Sequence, residues 1–211
     1  MRRPVVRILP WAAGMLLLLS ACEGKDVAGT PSVPQATTSE SSQSAGESEV
    51  PAFGAPKIES PLDVGGLDQR PCETLTDAQV TELLGSDTTK KEENVSGPMC
   101  SWHSYGSDGA FVAVSFPTVT DLGLTGLYRG RGQQFKFFKE MSPVRGYPTV
   151  AWGQTDDTAT DGRCGVSAGT TDRTTLDATV TLSKKNVGTK DPCEAARGVL
   201  DLVIGNIQGG R

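Results

Sequence analysis

Histidine is nearly missing from this 211-residue sequence, and aromatic residues are scarce. The only histidine is His103. It is therefore the one histidine available for either a Ser–His catalytic pair or a Cys/His metal centre. Aromatic residues make up 6% of the chain, and the formal net charge is −5. A negative net charge does not suit a protein that binds nucleic acid non-specifically, which needs a basic surface. We therefore predict no nucleic-acid partner and no cofactor.

Long hydrophobic runs are also missing, with one exception at the start of the chain. Ile8 to Ala21 is apolar over 14 residues and follows Arg2, Arg3 and Arg7. A membrane-spanning helix needs roughly 20 residues, so the run suits a signal peptide of residues 1–21 better than a span. The two adjacent arginines leave open whether export is general or through the twin-arginine route.

The stretch "LSAC" at the end of that run matches the bacterial lipobox, in which the cysteine sulfur receives a diacylglycerol. Cys22 is thus the predicted lipidation site, and two acyl chains suffice for stable anchoring. The predicted location is the outer face of the cell membrane. Removing residues 1–21 leaves 17 basic and 25 acidic residues, a formal charge of −8.

A polar tract follows the cysteine. Residues 23–60 contain no Trp, Tyr or Leu, and nine of the 21 positions from Thr30 to Val50 are Ser or Thr. Such a segment buries too little apolar surface to offset the entropy of ordering it. We predict a disordered linker over residues 22–60 and one globular domain over residues 61–211.

With Cys22 assigned to lipid, four cysteines remain: Cys72, Cys100, Cys164 and Cys193. Four cysteines in an exported protein favour two disulfides, and their spacing fits neither zinc ribbons nor Cys-x-x-Cys redox motifs. Three pairings are possible from sequence. We favour Cys72 with Cys100 and Cys164 with Cys193, because each pair then ties the start of a helix to a nearby strand.

Two helices carry clear end signals. Thr76 and Gln79 form a capping-box pattern before Val80, Leu83 and Leu84, and Gly85 suits the C-terminal end. Asp191 and Pro192 open a second helix, whose apolar residues recur at helical spacing up to Ile207.

Between these helices, period-two alternation and turn signals predict strands. A hairpin is expected from residues 100–105 and 110–116, a second pair from residues 149–154 and 164–170, and a further strand over 176–182. Around Tyr128 the pattern predicts a short helix and then a strand near residues 135–141. The predicted fold class is α+β, with an antiparallel sheet of about five or six strands and N- and C-terminal helices packed against it.

The sequence offers no strong candidate for a catalytic or metal-binding residue. His103 lies on a predicted strand near a bridging cysteine, and the adjacent Trp102 and Ser104 point to the other face, so a surface or half-buried strand histidine is favoured over a Ser–His pair. The carboxylates of Asp156, Asp157 and Asp161 lack the spacing and distal Glu of an EF-hand and fit a solvated loop. We predict no catalytic residue and no metal site.

The segment "YRGRGQQFKFFKE" is the most basic part of the chain. From residue 122 to residue 150 there are five basic residues and one acid, Glu140. One interpretation is a solvated face. The other is a ligand-binding surface of Arg129, Arg131 and Lys136 that meets an anionic envelope polymer, a lipid headgroup or another envelope protein.

Several stretches together resemble a known family, the actinobacterial lipoproteins called domain of unknown function 3558. The resemblance covers roughly residues 60–208, and the stretches that carry it, besides the lipobox, are "PCETLTDAQVTELLG", "CSWHS", "GYPTVAW", "RCGVSAG" and "DPCEAARGVLDLVIGNI". Thr149 stands where the family often has Ala. The resemblance implies a Gram-positive envelope, lipid on Cys22 and four bridged cysteines, and it implies no catalytic residue.

The sequence is compatible with three functions. The first is a non-catalytic binding or accessory domain of the envelope. The second is a carrier or sensor of a small apolar ligand, which requires a deep apolar cavity between sheet and helices. The third is a hydrolase, which requires His103 or an Asp/Glu pair to converge in a cleft.

Overall fold

A computed structural model describes residues 49–105 and 109–209, which fold around one antiparallel sheet. Its seven strands are β1 (Thr88–Asn94), β2 (Pro98–Ser104), β3 (Phe111–Ser115), β4 (Phe137–Val144), β5 (Tyr147–Gly153), β6 (Arg163–Gly169) and β7 (Thr175–Thr181). They lie in the order β1-β2-β3-β7-β6-β5-β4. The sheet is therefore two meanders, β1–β3 and β4–β7, joined along β3 and β7.

Three α-helices accompany the sheet: α1 (Asp77–Leu84), α2 (Leu124–Gly130) and α3 (Pro192–Gln208). Short 3-10 helices cover Leu67–Gln69, Pro71–Glu73 and Lys184–Asn186. Within the described ranges, none of the helices has both the length and the apolar character needed to cross a membrane.

The predicted N-terminal caps of both helices are present in the structure. The Thr76 hydroxyl accepts a hydrogen bond from the backbone N–H of Gln79, whose side chain accepts one from the N–H of Thr76. The Asp191 carboxylate accepts hydrogen bonds from the N–H groups of Cys193 and Glu194. Each cap satisfies donors that the first helical turn leaves without a partner, so both helices begin where their sequences indicate.

The predicted strand pairs are confirmed, but the strand count was too low. The structure pairs β2 with β3 and β5 with β6, and β7 lies where alternation placed it. The overlooked strand is β1, "TTKKEEN", which pairs with β2 along its full length at the edge of the sheet. It has no apolar residue, so alternation gives no signal there. Charged edge strands are a common protection against unwanted pairing.

One face of the sheet, which we call the inner face, carries most of the core. Cys164 bonds to Cys193 of α3, so Cys164, Val166 and Ala168 of β6 face that helix. On β7 the inner residues are Leu176, Ala178 and Val180, and α3 packs over both strands with its most buried residues. The most buried residues of α3 are Ala196, Val199, Leu200, Val203 and Ile204, all 0% exposed.

The opposite face, the outer face, is covered in part by α2 and by residues 49–58. The backbone N–H of Ala52 donates to the Thr125 hydroxyl, and that of Ile58 donates to the Asp172 carboxylate. Ile58 is buried, and its Cδ1 would lie 2.7 Å from a Cβ added at Gly169. The packed part of the chain therefore begins before residue 61. Composition placed this segment in the linker because its apolar residues are too few to form a pattern.

Both disulfides of the favoured pairing are present. Cys72 is bonded to Cys100 and Cys164 to Cys193, each with its Cα atoms 5.0 Å apart. Cys72 lies in a 3-10 helix rather than in α1, so the first bridge ties the segment before α1 to β2. The second ties the first turn of α3 to β6.

Candidate functional site

The predicted lipidation site, Cys22, lies outside the described residues, as do the signal peptide and the linker up to residue 48. These predictions remain predictions. The other residues singled out from the sequence have positions in the structure.

His103 is exposed on the outer face of β2. Its ring contacts the ring of Phe111 on β3, with 4.7 Å between the ring centroids. Its neighbour Trp102 points to the inner face and is 2% exposed. The position is that of a surface strand histidine.

The five letters "GVSAG", residues 165–169, match the Gly-x-Ser-x-Gly pattern of hydrolase nucleophiles, and the sequence reading overlooked them. The structure places them inside β6 rather than on a strand-to-helix turn, and Ser167 is 0% exposed. The pairing registers put Ser167 three strands and four residues away from His103, a separation of roughly 20 Å. Ser167 and His103 are therefore not brought together.

The aspartate loop is solvated, as its composition indicates. Asp156 and Asp161 are exposed, and the Asp156 carboxylate accepts hydrogen bonds from the N–H and hydroxyl of Thr158. Among residues 49–105 and 109–209, no cluster of three His, Cys, Asp or Glu side chains is arranged to hold a metal.

The basic segment spans the end of α2 and the start of β4. Arg129, Arg131 and Lys136 are all exposed. Arg131 is partly neutralised, because its Nη1 lies 3.4 Å from Glu140 Oε1, and its guanidinium lies 5.0 Å from the centre of the Phe138 ring. Farther along, Arg145 pairs with Asp201 of α3 at 3.0 Å. The positive surface is thus smaller than the residue count suggests.

A buried carboxylate on the outer face is a feature that the sequence reading missed. Asp177 is partly buried as a residue, but its Oδ1 is buried and has no hydrogen-bond partner within the described part of the chain. Burial raises the pKa of the Asp177 carboxyl to about 6, and hydrogen bonds with the Ser167 and Thr175 side chains oppose that rise. Ser167 in turn accepts a 2.7 Å hydrogen bond from Trp152 Nε1. The sequence signal for this feature is the aspartate itself, which lies in the middle of the alternating strand β7.

An open groove of about 620 Å³ lies on the inner side of the sheet. It lies where α1, the β2–β3 hairpin, the β7–α3 connection and α3 meet. Its floor is apolar: Val112, Val180 and Val199 line it and are 3%, 5% and 0% exposed. We call these three residues the valine floor.

The rim of the groove is mixed. Leu83 and Tyr105 line it with large exposed side chains, 36% and 70% exposed respectively. Glu82, Lys185 and Lys190 also line it and are exposed. The groove thus differs from the deep apolar cavity that a carrier of apolar ligands requires, because the core between sheet and helices is filled by fully buried side chains.

No sequence motif marks this groove. Its lining comes from five elements spread over residues 82–199, and each apolar residue in it also fits the pattern of an ordinary core position. The aromatic residue Tyr105 stands at the end of a predicted hairpin strand, but its exposure is visible only in the structure. The groove therefore emerges only from the packing of α1 and α3 on the sheet.

Comparison with known proteins gave one match. No curated protein and no solved structure matches the chain. A family model described as "Protein of unknown function (DUF3558)" matches residues 17–206, nearly the whole sequence. The chain therefore belongs to the DUF3558 family.

Proposed function

We propose that this protein is an exported binding domain, anchored by lipid to the outer face of the cell membrane and without catalytic activity of its own. The observation that carries the proposal is the open groove, with its apolar floor and mixed rim. The two disulfides favour an oxidising compartment outside the cytoplasm. The apolar run ending at Cys22 supports the anchor.

The anchor is tested by changing the one residue on which it depends. Wild-type protein should incorporate labelled palmitate and sediment with membranes, whereas Cys22→Ser should do neither. Glu23→Gln, next in sequence, is the control and should behave as wild type. Label and membrane association that persist in Cys22→Ser would refute the anchor.

The dimensions of the groove support binding of a ligand. Small-molecule sites in proteins have volumes of roughly 300–1,000 Å³, and the groove falls within that range. Leu83 and Tyr105 hold apolar surface in water at its rim. A ligand that covers them removes that surface from water, which is favourable.

Binding in the groove is tested with the neutral apolar dye Nile red and residues 23–211, which include the whole described core and both disulfides. Leu83→Asp should weaken dye binding by roughly tenfold, because a carboxylate at the rim adds a desolvation cost. The matched control is Val119→Asp, since Val119 is 73% exposed and does not line the groove. Equal dye affinity in wild type and Leu83→Asp would contradict binding there.

A second candidate function is contact with an anionic envelope polymer. It is favoured by the exposure of Arg129 and Lys136, which lie seven positions apart in the sequence with the exposed Arg131 between them. Binding to teichoic acid should then fall with added salt and with charge reversal at these three positions. Binding that responds to neither change would remove this candidate, and an envelope protein would remain as the alternative partner.

A further inference from the structure

A second pocket lies at the outer face of the sheet and shares no lining residue with the groove. It has a volume of about 300 Å³ and opens where β5 and β6 meet the connection between them, residues 154–162. We propose that this pocket binds one ring of a neutral saccharide. The ring lies against Trp152, and its hydroxyl groups are bonded to Arg163 and to polar side chains of the connection.

The apolar part of the pocket is the half-buried indole of Trp152. Two contacts hold the indole in place. Its Nε1 donates a 2.7 Å hydrogen bond to the Ser167 hydroxyl, and the Phe135 ring packs edge-on against it, with 5.0 Å between the ring centroids. Because the indole is already fixed, little further conformational entropy is lost when a ligand packs on it. It is therefore a preorganised surface for the C–H groups of a sugar ring.

A gap beside the indole lets a ligand ring approach the sheet. Trp152, Gly165 and Thr179 form one row across β5, β6 and β7, because Gly165 is paired with both of the others. A Cβ at Gly165 would lie 3.8 Å from Thr179 Oγ1 and 4.0 Å from Trp152 Cε2, which are ordinary contact distances. A methyl group would thus fill the bottom of the gap. Glycine within a strand often marks a place where a ligand comes close to the backbone.

Polar side chains surround this gap. Gln154 and Arg163 line the pocket and are exposed, and Asp157 lines it and is partly exposed. The Asp157 carbonyl accepts a hydrogen bond from the Arg163 N–H at 3.3 Å, so the two residues lie side by side. Asp157 Oδ1 accepts a 2.7 Å hydrogen bond from the Thr155 hydroxyl. A carboxylate has roughly four acceptor positions, so Asp157 keeps acceptor capacity for a ligand.

These side chains favour a neutral ligand with hydroxyl groups. An anion would be attracted by Arg163 and repelled by Asp157, and a cation the reverse, so a single charge gains little. A hydroxyl group can donate to Asp157, accept from Arg163, and do either with the Gln154 amide. A sugar combines several hydroxyl groups with C–H groups that suit the indole. The volume lies at the lower end of the range for small-molecule sites, which fits one ring of a glycan chain.

The test uses residues 23–211 labelled with 5-fluorotryptophan, because Trp102 and Trp152 are the only tryptophans in that fragment. Fluorine NMR then gives one resonance for the pocket and one for the core, where Trp102 is 2% exposed. The probes are the methyl glycosides of glucose, galactose, mannose and N-acetylglucosamine. At least one should shift the Trp152 resonance saturably at millimolar concentrations and leave the Trp102 resonance in place. No saturable shift with any of the four would overturn the proposal.

Gly165→Ala tests where the ring lies. The added methyl group meets its neighbours at ordinary contact distances but occupies the gap, so the tightest-binding glycoside should lose roughly tenfold in affinity. Gly198→Ala is the matched control, because a Cβ there meets no atom within 4 Å and Gly198 lies on α3, outside the pocket. An unchanged Trp102 resonance shows that each variant is folded. Equal affinity in wild type and Gly165→Ala would overturn the proposal.

Charged probes test the ligand class. The methyl glycosides of glucuronic acid and glucosamine add one negative and one positive charge to the glucose ring, and neither should bind more than about threefold more tightly than methyl glucoside. A larger gain with either would contradict a neutral ligand. Alanine, a zwitterion, should bind more weakly than the glycosides. A saturable shift with alanine and none with the glycosides would mean that the pocket takes amino acids instead.

The groove variant separates this pocket from the groove. Leu83→Asp should weaken dye binding in the groove and leave glycoside binding within about twofold of wild type, because the two sites share no residue. A large loss of glycoside binding in Leu83→Asp would place the sugar in the groove and overturn the assignment to the pocket. Failure of the dye to bind would count against the groove alone.

Discussion

The two faces of the sheet differ in chemistry although the same strands build both. The inner side chains of β6 and β7 are apolar and lie under α3, and both disulfides join this face to the segments above it. On the outer face, the same strands present Ser167 and Asp177, with Trp152 beside them. The inner face therefore carries the apolar burial, and the outer face carries a polar cluster whose energy depends on hydrogen bonds and on pH.

The largest expected effect comes from removing a bridge of the inner face. The two disulfides close loops of similar length, with sequence separations of 28 and 29, so each contributes about 3.5 kcal/mol if loop closure sets its effect. Cys164 and Cys193 are both buried, whereas Cys72 is only partly buried. Replacing Cys164 and Cys193 with alanine should therefore lower the free energy of unfolding more than replacing Cys72 and Cys100, as measured by urea unfolding. A smaller loss than for Cys72→Ala with Cys100→Ala would contradict this ranking.

The next largest effect is expected from the core beneath α3. Leu200 is 0% exposed and packs in the inner cluster, so Leu200→Ala should lower the free energy of unfolding by about 3 kcal/mol through lost burial and a residual cavity. Leu83→Ala is the matched control, since Leu83 is a helical leucine at 36% exposure and should lose less than about 1 kcal/mol. Similar losses in the two variants would mean that the inner face is not the main source of stability.

The inner face was the part of the fold that the sequence predicted well. Alternation in residues 176–182 and helical spacing after Pro192 are local patterns, and both report one buried side. Strand β1 lacked a pattern because all of its residues are polar or charged, and it is placed by pairing with β2. Alternation and helical spacing are local signals, so they predict the structure well where burial follows a regular period.

The outer face was not predictable in the same way, because its cover is not local. Ile58 and Leu124 lie over Gly169, and residues 49–58 are hydrogen-bonded to Thr125 and Asp172. Nothing in the alternation of β7 indicates that such distant segments cover its polar side. The groove was missed for the same reason, since its lining comes from five elements.

A charge on the outer face should lower stability at neutral pH. The folded-state pKa of Asp177 is raised to about 6 from 3.8, so its favourable contribution is present below about pH 4 and is lost as pH rises through 6. Asp177→Asn removes the cost of burying the ionised carboxylate and should stabilise the protein by about 3 kcal/mol at pH 7.5. The gain should shrink toward zero near pH 4.

The measurement is the difference in unfolding free energy between wild type and Asp177→Asn from pH 4 to pH 8. Taking the difference cancels the titration of the other carboxylates. Asp156→Asn is the control, because Asp156 is exposed in the solvated loop and should give a small difference with no step near pH 6. A constant difference for Asp177→Asn across this range would show that burial of its charge does not limit stability.

The smallest expected effect is that of the single hydrogen bond between Trp152 and Ser167. Trp152→Phe keeps an aromatic ring against Phe135, now 5.0 Å from the Trp152 ring, but removes the Nε1–H that donates to the Ser167 hydroxyl at 2.7 Å. The loss should be about 1 kcal/mol, because Ser167 is buried and keeps fewer partners. A double-mutant cycle with Ser167→Ala should give a coupling energy of about 1 kcal/mol, measured by urea unfolding. Additive losses would mean that the hydrogen bond contributes nothing net, and that the outer face is held only by the packing of Trp152, Phe135 and their neighbours.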